Sequence, residues 1–196
     1  MTILDLCAYL GLGAVGAATL NLLLGLLIAL RYSPVRSWPH RKLNIFGLHQ
    51  WTAYAAVALT LAHPTVLLWL RVPQFRLFDL LIPVHSPLQP KINLAGAVAL
   101  YLLLVILVSS LLRQRIGRPL WRRLHYLAFP SAALIFLHSV LTDPLLKDGR
   151  PDLLDGGKVF VEACFVVCLA AALARLSLRG RGLRLAPPSR SSLEPL

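Results

Sequence analysis

Five apolar stretches, at residues 6–30, 43–70, 94–112, 124–141 and 159–178, constrain this chain more than any other feature. Each is close to the about 20 residues that a helix needs to cross hydrocarbon at about 1.5 Å per residue. In lipid, backbone N–H and C=O groups must be satisfied within the spanning element, so uninterrupted stretches of this length read as helices. With 57% hydrophobic and 14% charged residues over 196 positions, the expected fold is an all-α integral membrane bundle of about five transmembrane helices. A soluble domain is excluded. The first stretch is too long for a signal-peptide core and lacks a basic leader, so it is read as a retained span.

The net charge of +12 would suit a nucleic-acid partner if it were taken alone, but its placement along the chain argues for membrane topology. Fourteen of the twenty basic residues fall in three segments: Arg31, Arg36, Arg41 and Lys42; Arg113, Arg115, Arg118, Arg122 and Arg123; and Arg175, Arg179, Arg181, Arg184 and Arg190. The positive-inside bias assigns these segments to the cytoplasm. The N-terminus is then outside, the C-terminus is cytoplasmic, and spans two and four run in the same direction. The expected location is the inner (plasma) membrane, as a multi-pass protein.

One membrane domain is expected over 1–180, followed by a basic, Pro/Ser-rich cytoplasmic tail at 181–196. Segment 74–82 has the pattern of a short amphipathic helix at the outer interface, and 142–158 that of an exposed loop. Gly11, Gly13 and Gly16 lie inside an apolar span, where small residues serve close helix packing rather than phosphate binding. Cys7, Cys164 and Cys168 are read as packing residues, and no C-x-x-C-H motif for covalent haem attachment occurs.

Four of the six histidines lie in the second and fourth stretches: His49 and His63 in one, His125 and His138 in the other. An ionisable ring at bilayer depth is costly, so four of them need a shared role. The spacings are 14 and 13 residues, about 21 Å and about 19.5 Å along a helix axis. On parallel spans this sets His49 opposite His125 at the cytoplasmic end and His63 opposite His138 at the outer end. Two imidazoles from facing helices suit the two axial positions of a haem iron, and with both positions filled electron transfer is the natural task.

Rotation fits less simply. At about 100° per residue, 14 residues return to within about 40° of the same face, whereas 13 leave the second histidine about 140° away. Span four therefore needs a distortion, for which Pro130 is the expected cause, with Pro64 acting similarly on span two. The alternative is a haem-free transporter or structural bundle that uses the histidines for proton transfer or helix packing.

The residues Gly47-Leu48-His49 with His63-Pro64, Arg115-Ile116-Gly117 leading to Trp121-Arg122-Arg123-Leu124-His125-Tyr126, and Leu137-His138 resemble the ferric reductase-like transmembrane domain family, over about 40–178. That family includes the membrane cores of NADPH oxidases and iron reductases. In size the chain also resembles the haem-bearing membrane subunit of the bacterial methionine sulfoxide reductase system. The resemblance implies two haem b groups, with His49 and His125 on the inner iron and His63 and His138 on the outer.

The family core usually has six spans with histidines on the third and fifth, whereas here they occupy the second and fourth of five. No flavin or nicotinamide domain is recognised, so the expected role is a cytochrome b electron-transfer subunit of an oxidoreductase. The electron donor is a reductase protein, a quinol or a bound flavin, and the acceptor is an external molecule or partner protein. Arg122 and Arg123 are candidates to pair with haem propionates, and Arg71 and Arg76 are further candidates at the outer site. Tyr54, Tyr126, Phe129 and Phe136 fall near the histidines, where they pack on the haems or within the core.

Overall fold

The computed structural model describes residues 2–30, 44–142 and 154–180. The expectations for the basic connection at 31–42, for most of the loop at 142–158 and for the tail at 181–196 lie outside the described residues. Eight α-helices are described: α1 (Ile3–Ala29), α2 (Ile45–Thr65), α3 (Leu77–Leu81), α4 (Pro90–Leu111), α5 (Arg113–Ile116), α6 (Arg118–His125), α7 (Ala128–Leu141) and α8 (Gly156–Gly180). Five segments are long and apolar enough to cross a membrane: Ile3–Ala29, Ile45–Trp69, Pro90–Leu111, Arg118–Leu141 and Gly156–Ser177. These are the five spans expected from sequence. The described residues contain no strand.

Local signals set the helix starts. Thr2 and Asp5 form a reciprocal capping box on α1: the Asp5 amide donates to Thr2 Oγ1 at 3.1 Å, and the Thr2 amide donates to Asp5 Oδ2 at 2.7 Å. Asn44 caps α2 by accepting from the Gly47 amide at 3.0 Å. Pro90 opens α4 at a first-turn position, where its missing N–H costs nothing. Gly117, at φ +80°, turns the chain between α5 and α6 in a conformation that side chains resist.

The fourth span is broken, and the break has an identifiable cause. Pro130 has no N–H to offer the carbonyl four residues back, at Tyr126, and its ring crowds that carbonyl. The chain answers with tighter bonds there: Leu127 N–H donates to Leu124 O at 3.0 Å, and Phe129 N–H donates to Tyr126 O at 3.2 Å. The expected distortion is therefore present, one turn before the proline itself and directly after His125. On span two the helix continues through Pro64 to Thr65 and then tightens to a 3₁₀ turn at Val66–Trp69.

α1 packs against α2 and α8, while α4 packs against α6 and α7. The two histidine-bearing spans thus each lean on a different helix rather than chiefly on one another. Small residues bring α4 and α7 close: Ser131 is fully buried and donates to the Ala99 carbonyl at 3.1 Å, and Ala99 is itself 1% exposed. Trp51, Trp69, Val108, Val166 and Leu176 instead turn outward, the apolar exterior that a lipid-facing bundle presents. α3 occupies the middle of the amphipathic segment, with Leu77 and Phe78 exposed, and Tyr101 OH donates to Leu81 O beside it.

Charge divides the bundle into two ends. The end formed by α5 and α6 carries Arg113, Arg115, Arg118, Arg122 and Arg123, whereas the opposite end carries Asp5, Asp79 and Asp155 together with Arg71, Arg76, Lys91 and Lys158 and is close to neutral.

Candidate functional site

The four histidines meet as two pairs. At the basic end, the His49 and His125 ring centroids are 6.3 Å apart with an interplanar angle of 74°. At the opposite end, His63 and His138 are 6.2 Å apart at 78°. Two metal–imidazole bonds of about 2 Å each, together with the ring radii, account for a separation of this size. The near-identical geometry at both ends is the first reason to read the pairs as one device used twice.

Three of the four rings are held by the same arrangement. His49 Nδ1–H donates to the Asn21 carbonyl at 3.0 Å, His63 Nδ1–H to the Cys7 carbonyl at 2.8 Å, and His138 Nδ1–H to the Ile92 carbonyl at 2.9 Å. A carbonyl only accepts, so in each neutral ring the proton is on Nδ1 and the Nε2 lone pair is free. Ligating histidines typically have their second nitrogen fixed in this way. His125 differs: its Nδ1 lies 3.5 Å from Ser110 Oγ, which accepts from Trp121 Nε1 at 3.3 Å, and the Trp121 ring lies over it with a centroid distance of 5.1 Å.

Glycines make this possible. The carbonyl acceptors Cys7, Asn21 and Ile92 are each followed four residues later by a glycine, at Gly11, Gly25 and Gly96. A Cβ on Gly96 would lie 2.9 Å from His138 Cε1, one on Gly11 would lie 3.0 Å from His63 Nδ1, and one on Gly25 would lie 3.3 Å from His49 Cε1. Each imidazole therefore sits directly against the backbone of α1 or α4. Gly11 and Gly25 are 14 residues apart, as are Gly96 and Ser110, which repeats the spacing of His49 and His63. Four turns of helix carry the arrangement from one end to the other, intact on α1 and with Ser110 in place of the glycine on α4.

A cavity of about 470 Å³ adjoins the His63/His138 pair and is lined by both rings and by Gly11, Gly96, Thr60 and Lys158, among others. This volume lies within the range of small-molecule and cofactor sites. Lys158 is 3% exposed, and its Nζ has no hydrogen-bond partner among the described residues. No group of three or more His, Cys, Asp or Glu side chains that could hold a metal occurs among the described residues. A site built only from protein ligands normally needs three or four of them. Two imidazoles fit a metal whose other positions a macrocycle fills, and at the His63/His138 pair the adjoining cavity has room for such a group.

The remaining expectations divide. Arg122 and Arg123 are exposed in the last turn of α6, the turn that ends at His125, and Arg71 and Arg76 are exposed at the other end. Tyr126 and Phe129 stack on each other at 6.4 Å and are 48% and 40% exposed, so they flank the bundle rather than line the cavity. Phe136 stacks on Phe165 at 3.9 Å, between the levels of the two histidine pairs. Tyr54 accepts from Gln50 Nε2 at 2.8 Å on the exposed side of α2. Cys7 does more than pack, since its carbonyl holds His63 and its thiol donates to the His63 carbonyl at 3.3 Å.

Asn21, Gly25, Gly96, Ser110 and Lys158 were not singled out by sequence reasoning. For Gly25, Gly96 and Ser110 a signal was available, in the 14-residue repeat of small residues on spans one and three. Lys158 had none, because it closes a loop in sequence but is buried in space.

Fold and sequence together describe a multi-pass helical membrane protein in which histidines from two spans face each other as two pairs. A family model described as "Ferric reductase like transmembrane component" matches residues 13–136, and the chain belongs to that family. The matched region holds His49, His63 and His125 and ends two residues before His138, short of the 178 expected from resemblance. Comparisons with curated proteins and with solved structures find no match.

Proposed function

We propose that this protein carries electrons across the membrane through two bis-histidine b-type haems, one between His49 and His125 and one between His63 and His138. The observation that carries the reading is the doubled imidazole geometry, 6.3 Å and 6.2 Å between ring centroids, with both partners supplied by different spans. Family membership supports transmembrane electron transfer as the general task. The haems would supply one-electron redox chemistry without an open coordination position.

The chain's own part is to hold and orient. Backbone carbonyls fix the Nδ1 proton of three ligands, the glycines let the rings approach, and the apolar spans exclude water from the interior. Arg122 and Arg123 would meet the inner propionates. By the positive-inside bias the α5–α6 end faces the cytoplasm, so the inner haem takes electrons from a cytoplasmic reductase, a flavin or a membrane quinol. The outer haem then passes them to an external acceptor or partner protein, in the inner (plasma) membrane.

A vesicle experiment tests the relay. Full-length protein is reconstituted with haem into liposomes that trap ferricyanide, and dithionite is added outside. Wild type is expected to bleach the trapped ferricyanide at least about tenfold faster than empty liposomes, and His49→Ala is expected to match empty liposomes. Equal bleaching by wild type and empty liposomes would refute transmembrane electron transfer.

A further inference from the structure

The outer cavity contains a cation that nothing described so far uses. Lys158 stands in the first turn of α8, is 3% exposed, and lines the same cavity as His63 and His138. Its Nζ has no hydrogen-bond partner among the described residues. A buried ammonium without a partner is costly, and in folded proteins it is normally met by an anion.

Three acidic residues line the same cavity, and none of them bonds to Lys158 Nζ. Asp5 accepts from the Thr2 amide, Asp79 from the Arg76 amide and Asp155 from the Gly157 amide. Asp5 and Asp155 are exposed, and Asp79 is only partly covered. Asp5 and Asp79 each belong to a capping box at a helix start, whereas Lys158 is buried.

We infer that Lys158 is the residue that binds a propionate carboxylate of the outer haem, in preference to the exposed Arg71 and Arg76. This rests on the haem reading of the His63/His138 pair. A lysine serves here as a point charge at the end of a flexible stem, able to reach a carboxylate from the cavity wall without the fixed fork of an arginine. The contact is charge-assisted, and it neutralises a group that has no hydrogen-bond partner among the described residues.

Haem loss to excess apomyoglobin tests the pairing in the full-length protein. The outer phase is identified as the one missing from His138→Ala. Lys158→Met and Lys158→Gln are each expected to accelerate that phase about tenfold or more without changing the inner phase, and Lys158→Arg is expected to restore most of the retention. Should the Met variant fail to accumulate, the Gln and Arg variants carry the same contrast.

Reconstitution with haem dimethyl ester, which lacks the carboxylate charges, separates a propionate contact from a structural one. With the ester, wild type and Lys158→Gln are expected to lose the outer group at equal rates. A difference that persists undiminished with the ester would set Lys158 against a carboxylate of the chain and overturn the inference. So would an unchanged outer phase in both the Met and Gln variants, or acceleration of both phases alike. Absence of any haem phase in wild type would show instead that the haem reading itself had failed.

Discussion

Replacing His138 by alanine is expected to remove one haem of two and to leave the other in place. His138 and His63 come from different spans and meet at one end of the bundle, 6.2 Å between centroids, while His49 and His125 form their own pair at the other end of the same spans. Cys7 Sγ is 3.4 Å from His63 Nδ1, the ring nitrogen that the Cys7 carbonyl already holds, and so stands behind the ring rather than in place of one. His138→Ala and His63→Ala should each lower the haem-to-protein ratio from two to one, whereas His49→Ala and His125→Ala should lower it by removing the inner haem. Pyridine haemochrome assay against protein concentration reads this directly. Loss of both haems in every single variant, or of neither in any, would break the pairing.

Adding a single methyl group on the opposite helix should do almost as much. A Cβ at Gly96 would stand 2.9 Å from His138 Cε1, 3.0 Å from Nδ1 and 3.1 Å from Nε2, so the whole ring face must move. His138 is also held by its bond to the Ile92 carbonyl one turn below, and it cannot move without losing that bond. Overpacking of this kind costs about 1–3 kcal/mol, and disturbing the group that orients a metal ligand weakens metal retention about 10–100-fold.

Gly96→Ala is therefore expected to lose most of the outer haem on purification while keeping the inner one. Gly11→Ala, with its 3.0 Å contact, should follow closely, and Gly25→Ala, at 3.3 Å from His49, should affect the inner haem more mildly. Gly13→Ala is the control, since its Cβ would meet Leu59 Cδ1 at an ordinary 3.6 Å. Equal haem content in Gly96→Ala and Gly13→Ala would contradict the seating of His138 on α4.

The histidine pairs were legible in the sequence because they depend on two quantities a sequence displays: axial rise and span direction. Residues 14 and 13 apart on two apolar stretches can meet at both ends only if the spans run in the same direction, and charge placement supplied that direction. The 13-residue interval also exposed its own misfit, which the break at Tyr126–Leu127 resolves. Its position could be read only after noting that a proline acts on the carbonyl four residues back.

The seats of the rings were less visible. Gly25 and Gly96 look like ordinary small residues in apolar spans, and their meaning depends on which helix face turns toward a histidine, a matter of packing rather than of composition. Gly11 was read as a packing glycine, which it is, though what packs on it is an imidazole. Lys158 was hidden for the opposite reason: beside Asp155, Gly156 and Gly157 it has the local chemistry of an exposed loop, and only the approach of α8 to α1 buries it.

The central claim is that each imidazole pair holds one haem, and the haem-to-protein ratio of the wild-type chain, purified after haem-replete expression, tests it most directly. A ratio of two is expected, with a low-spin spectrum that carbon monoxide leaves unchanged, because both axial positions of each iron are filled. A ratio of zero, or a spectrum in which carbon monoxide binds both haems, would contradict it.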